Sequence, residues 1–203
     1  PFRVGSITKL FTAVEVLDLE KRGLIDIDQP LFFYLPRFQI LSRFSTDDPI
    51  TVRQVLTHHS GLPTDLYKGQ WSTDSVTENL RVEYVAYPPN YIKSYSNVGY
   101  SLLGAMIEQV TQMDYEYILN DRIFKPLGMR NSGFYPGTLE QRNTEAFNQQ
   151  LEAQRLFPIR DIPAMGLYSS ANDLARFVSL FTDRNNPVNL GVIDNVSVEE
   201  MFD

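Results

Sequence analysis

Apolar residues set the frame of the N-terminal segment. Leu10, Phe11, Val14, Leu17 and Leu19 recur at helical spacing, charge gathers late at Asp18, Glu20, Lys21 and Arg22, and Gly23 follows. The pattern predicts an amphipathic helix from about Ser6 to Arg22, stopped at the glycine. The next residues, "IDIDQP", alternate and end in a turn at Pro30, with Asp26 and Asp28 read as turn and cap residues. "ITVRQVLTHH" reads as a short helix closed by "SGLP". From about Thr64 to Tyr91 the chain is polar with little periodicity, and Pro88 and Pro89 break it. "VGYSLLGAMIEQVTQM" reads as a buried helix, with Gly99 and Gly104 lowering its intrinsic propensity and Glu108 on its wet side. "DYEYILNDRIF" is a further helix, stopped by "KPLGM". In "SSANDLARFVSLF", Asn172 and Asp173 open a helix whose apolar residues are Leu174, Phe177, Val178 and Phe181. Few segments read as strands and no repeat occurs, so the chain is predicted to be mainly α.

Composition narrows the function more than the fold. With 203 residues, 43% of them hydrophobic, the chain can bury a sizeable core as one domain. A net charge of −7 leaves no basic excess for a phosphate backbone, which argues against nucleic-acid binding. There are no cysteines, hence no disulfide framework, thiolate metal site or cysteine nucleophile. The two histidines, His58 and His59, are adjacent, which argues against a multi-histidine metal site. The longest apolar run, "SLLGAMI", falls far short of the roughly 20 residues that span a bilayer.

Two clusters carry candidate chemistry. Ser6 and Lys9 are three residues apart at a helix start, so they share a face, and the amine can reach the hydroxyl within one turn. A serine hydroxyl is a poor nucleophile until a base takes its proton, and the positive end of the helix favours a developing oxyanion. Taken alone, Ser6 is more simply a helix-start residue. The second cluster is "YSNVGYSLLG", in which Tyr95 and Asn97 stand two apart and project to one side of an extended segment. A phenol there can relay protons, and a carboxamide can orient a carbonyl or hold the lysine. Asn97 can also cap the helix that follows.

Ser6-Ile7-Thr8-Lys9 and Tyr95-Ser96-Asn97, in this order, resemble the first two motifs of the serine β-lactamase and penicillin-binding-protein superfamily. The Tyr-x-Asn form is similar to the branch of class C β-lactamases, D-alanyl-D-alanine carboxypeptidases and related esterases. "FRVGSITKLFTA", "LIDIDQPL", "VLTHHSGLP", "IFKPLGM" and "GLYSSANDLARF" extend the resemblance over about residues 2–182. It implies a serine hydrolase acting through an acyl-enzyme on Ser6, without cofactor or metal. Lys9 and Tyr95 would share general-base and general-acid work, either taking the first proton. Asn97 would bind the substrate amide, and the Ser6 N–H would form half the oxyanion hole. The substrate would be a β-lactam, a D-Ala-D-Ala peptide or a small ester. A non-hydrolytic penicillin-binding sensor and an inactive interaction module are the alternatives. The resemblance also implies a cell-envelope, periplasmic or secreted location.

The same resemblance implies a third motif, His or Lys followed by one residue and Gly on a core strand, and nothing after Asn97 fits it. His59-Ser60-Gly61 has the letters but lies between the first two motifs, where the branch has a structural turn. The expected fold is therefore the helical portion of the α/β β-lactamase/transpeptidase-like fold, with the N- and C-terminal sheet strands missing. On this resemblance residues 1–203 would be a β-lactamase-like catalytic domain truncated at both ends, its helical region about 6–182. Such a piece exposes an apolar face through which it would self-associate. Trp71 is read more simply as a packing residue than as one that borders the cleft.

Overall fold

The structure is a computed structural model that describes residues 1–45, 48–66, 73–134, 146–154 and 159–202. A short strand β1 (Phe2–Arg3) leads through a 3-10 turn (Gly5–Ile7) into helix α1 (Thr8–Lys21). Helices α2 (Leu31–Tyr34), α3 (Val52–Leu56), α4 (Thr73–Leu80) and α5 (Asn97–Thr111) follow. Helix α6 (Tyr115–Leu119) runs straight into a π-helical turn (Asn120–Phe124). Strands β2 (Ala146–Phe147) and β3 (Ala153–Gln154) precede helix α7 (Ile162–Met165) and strand β4 (Tyr168–Ser169). Helices α8 (Ala171–Thr182), α9 (Pro187–Val192) and α10 (Asn195–Glu200) complete the order. The mainly helical expectation holds. The strands make two antiparallel pairs, β1 with β4 (Phe2 opposite Ser169) and β2 with β3 (Ala146 opposite Gln154).

Helix α1 is the centre of the core, and it is less amphipathic than its sequence suggests. It contacts α5, α6 and α7, so most of its circumference is covered. Phe11 stacks on Phe177 of α8 at 3.7 Å and meets Phe124 edge-on, while Leu10, counted among the apolar face, is 46% exposed. Its buried polar residues face neighbouring elements rather than water. The Thr12 hydroxyl donates to the Pro163 carbonyl (2.7 Å) and so receives the buried Tyr115 hydroxyl (2.7 Å). Asp18 accepts from Arg122 at 2.6 Å. Glu15 is fully buried, and among the described residues neither of its carboxyl oxygens has a hydrogen-bond partner.

Helix α5 lies against α1, α3, α4 and α7. The glycine that weakens it by propensity has a packing reason, because a Cβ at Gly104 would enter the Pro163 ring of α7. Its N-cap is Ser96, whose hydroxyl oxygen accepts the Gly99 N–H (2.9 Å), and not Asn97, which occupies the first helical position. Helix α4 falls within the stretch read as polar and aperiodic. Only Val76, Thr77 and Leu80 of its described side chains are buried, and one turn of apolar spacing is too short a signal to register. Asp26 makes the expected turn by accepting the Asp28 N–H, but Asp28 pairs with Arg53 of α3 (2.6 Å) rather than capping. Among the described residues no helix is long and apolar enough to cross a membrane.

Candidate active site

The 3-10 turn that leads into α1 presents Ser6, which does not cap the helix. Gly5 has a left-handed backbone (φ 56°), and the N-cap positions of the 3-10 turn and of α1 are Val4 and Ile7, not Ser6. Buried Thr8 secures the turn, donating to the Gly5 carbonyl (2.6 Å) and accepting the Leu167 N–H (3.1 Å). The Val4 N–H adds a bond to the Leu167 carbonyl at 3.0 Å. The residues before the serine are thereby tied to the strand-like segment after α7.

Lys9 is 6% exposed and its amine reaches three oxygens: Asn97 Oδ1 at 2.7 Å, the Ala164 carbonyl at 3.0 Å and Ser6 Oγ at 3.4 Å. The Tyr95 hydroxyl donates to Ser6 Oγ at 2.8 Å, and the Lys9 amine lies 4.6 Å from the centre of the Tyr95 ring. Asn97 also donates its Nδ2 to Asp65 Oδ1 (2.8 Å), so the two ends of its amide are assigned by the Lys9 N–H donor on one side and a carboxylate on the other. Lys9 and Tyr95 thus meet at the Ser6 oxygen, and Asn97 joins them through the Lys9 amine.

The segment that carries Tyr95 and Asn97 is docked on two loops. The Asn97 N–H donates to the Thr64 carbonyl (2.8 Å), and the Ser96 hydroxyl donates to the Pro63 carbonyl (2.6 Å). On the other side stands His58, which ends α3 in a left-handed conformation (φ 63°). His58 N–H bonds back to Val55 O and His59 N–H to Gln54 O, the pairing that closes a helix through one left-handed residue. His58 Nδ1 accepts the Ser96 N–H at 3.1 Å. Burial, aided by the charges of Lys9, Lys93 and His59, pushes its pKa down to about 4, so the ring is neutral with its proton on Nε2. Its ring lies 4.4 Å from Tyr95 and 5.2 Å from Tyr100, whose hydroxyl donates to the Leu56 carbonyl.

His59-Ser60-Gly61 forms a turn, as expected: Gly61 has φ 72°, and a Cβ there would strike the Tyr87 carbonyl. Trp71 lies outside the described residues. Sequence reasoning missed Thr8, Asp65 and the Ala164 carbonyl, and it gave His58 no role in the site. Asp65 and Ala164 carry no local signal, since their importance arises from chain segments that meet only on folding. Among the described residues no group of three or more His, Asp or Glu side chains could hold a metal ion.

The fold has the form of the serine β-lactamase and penicillin-binding-protein superfamily. A family model described as Beta-lactamase matches residues 1–196, and the chain belongs to that family. It is 29% identical to Beta-lactamase-like protein 4 of Dictyostelium discoideum, over 91% of this chain and 36% of that protein. Among solved structures it resembles the octameric penicillin-binding protein homologue from Pyrococcus abyssi (TM-score 0.83, 26% identity, 97% of this chain and 47% of that one). It also resembles a class C beta lactamase from Rhodobacter sphaeroides (TM-score 0.77, 28% identity, 94% and 55%). The chain therefore spans about a third of that relative and about half of those structures.

Proposed function

We propose that Ser6 is the nucleophile of a serine hydrolase that works through an acyl-enzyme. One observation carries this reading: the Ser6 hydroxyl is shared by a phenol at 2.8 Å and a buried amine at 3.4 Å, both held by other parts of the fold. The Asn97 and Ala164 oxygens can only accept, so they consume two N–H bonds of Lys9. A neutral amine donating to both turns its lone pair toward Ser6, whereas an ammonium offers Ser6 its third N–H. With a neutral amine, Lys9 takes the Ser6 proton and Tyr95 passes its own proton to the leaving group; with an ammonium, Tyr95 must be the phenolate that takes the Ser6 proton and returns it to the leaving group. Ser6 Oγ bonds to the carbonyl carbon, the leaving amine or alkoxide departs with that proton, and water later cleaves the ester. Asn97 binds the substrate amide beside the lysine it holds. The substrate class is a β-lactam, a D-Ala-D-Ala-type peptide or a small ester, and the location is the cell envelope or outside it.

Labelling of the natural full-length polypeptide with a fluorophosphonate and a fluorescent penicillin tests this. Adduct formation on the Ser6 peptide, lost in Ser6→Ala and followed by release, is the expected result. Stable adduct without release replaces hydrolysis with a sensor role, and no adduct with either probe overturns the reading.

A further inference from the structure

His58 has no part in the chemistry above, yet three of its features converge there. It occupies the left-handed position that ends α3, where a glycine would meet no steric cost. Its carbonyl accepts the Ser94 N–H (2.7 Å), and its Nδ1 accepts the Ser96 N–H (3.1 Å). These two bonds bracket Tyr95 in the chain, and the His58 ring lies against the Tyr95 ring at 4.4 Å. The chain on both sides of Tyr95 and the face of its ring are thus held by one residue. From this geometry we infer that His58 is a positioning residue that sets the Tyr95 hydroxyl on Ser6. Through Ser96, the N-cap of α5, it also sets the point from which Asn97 grips Lys9. The kinetic side of this inference rests on the serine chemistry proposed above. A histidine needed only to end α3 would be replaceable by any residue that tolerates the turn.

Two variants separate the turn from the ring. His58→Gly relieves the left-handed backbone and keeps the carbonyl that receives Ser94, but removes the ring and the Nδ1 acceptor. His58→Asn also tolerates that backbone and offers Oδ1 close to the place of Nδ1. In fluorophosphonate labelling of the full-length protein, His58→Gly is expected to lose roughly 10²-fold in the saturated rate with unchanged apparent affinity. His58→Asn is expected to recover to within about tenfold of the wild type, since it restores the acceptor without the ring that packs on Tyr95. Crystal structures supply a readout independent of activity: the Tyr95–Ser6 contact opens in His58→Gly and is kept in His58→Asn. A His58→Gly protein that labels at the wild-type rate, or keeps that contact, overturns the inference. So does an equal loss in both variants that follows thermal stability while Tyr95 stays in place. If the wild type fails to label at Ser6, the proposed function falls, and the structural comparison still decides whether His58 positions Tyr95.

Discussion

Tyr95 and Ser6 stand 89 residues apart in the chain, and their hydroxyl oxygens stand 2.8 Å apart in the fold. Tyr95 is 44% exposed, so few packing contacts depend on its hydroxyl. Its loss should therefore act on rate and not on folding. Tyr95→Phe is expected to slow Ser6 acylation by roughly 10²–10⁴-fold, the usual range for one general acid–base group, with a melting temperature close to the wild type. Stopped-flow labelling beside a thermal melt checks both halves.

Lys9 should behave differently, because it is buried and satisfies groups besides Ser6. Lys9→Met leaves Asn97 Oδ1 and the Ala164 carbonyl without their donor. Leaving buried acceptors unsatisfied costs about 1–3 kcal/mol. Lys9→Met should lose labelling and also fall in urea midpoint, whereas Tyr95→Phe loses labelling alone. Equal midpoints for the two variants would contradict the contacts assigned to Lys9.

Much of this site was legible because its chemistry sits in short local phrases. Ser-x-x-K at a helix start and Tyr-x-Asn before a buried helix each fix relative position within one turn. The partners that complete them were not legible, for a physical reason. Asp65 lies 32 residues from Asn97, and Ala164 lies 155 residues from Lys9, so neither contact leaves a trace in spacing. The fold shows the same division. Helix α5, rich in apolar residues, declares itself in sequence, while α4, with a single inward turn, does not. Helix α1 was read as amphipathic from the spacing of Leu10, Phe11, Val14, Leu17 and Leu19 and from the late charge, a reading that does not anticipate Thr12, Glu15 and Asp18 in the core. The structure buries them, since Thr12 and Asp18 find partners on other elements.

Gly61 supports the loop beside the site, and its requirement for glycine is twofold. Its backbone is left-handed, and a Cβ would collide with the Tyr87 carbonyl, while its own carbonyl receives the Ala86 N–H at 2.8 Å. Strain and overpacking then act together, and Gly61→Ala is expected to cost about 2–3 kcal/mol. For a protein of this size that corresponds to a fall of roughly 4–12 °C in melting temperature. Gly23→Ala serves as the control: its backbone is also left-handed (φ 68°), but nothing lies within 4 Å of its Cβ position, so it should fall less. Equal losses would mean that the Tyr87 contact contributes nothing.

Glu15 makes stability depend on pH in a direction that can be worked out. Burial first, and then the charge of Asp18, push its pKa from 4.5 up to about 8, while Arg122 and Arg22 pull it partly back. The Tyr115 hydroxyl, its other titratable neighbour, is held protonated by burial. Between pH 4.5 and about 8 the folded protein keeps a proton on Glu15 that the unfolded chain has released. Stability from this group is therefore complete below pH 4.5 and is lost as pH rises to about 8, beyond which the loss is constant. The separation of the two values sets an upper limit of about 5 kcal/mol on that loss. Glu15→Gln stays neutral throughout and should lack this dependence, so the variant gains on the wild type as pH rises from 5 to 8. Urea unfolding of both proteins at pH 5, 6.5 and 8 measures the difference, in which all other titrating groups cancel. A difference that stays flat across those three pH values would show that Glu15 is already ionised in the fold, reached by water or by a cation at its carboxyl oxygens.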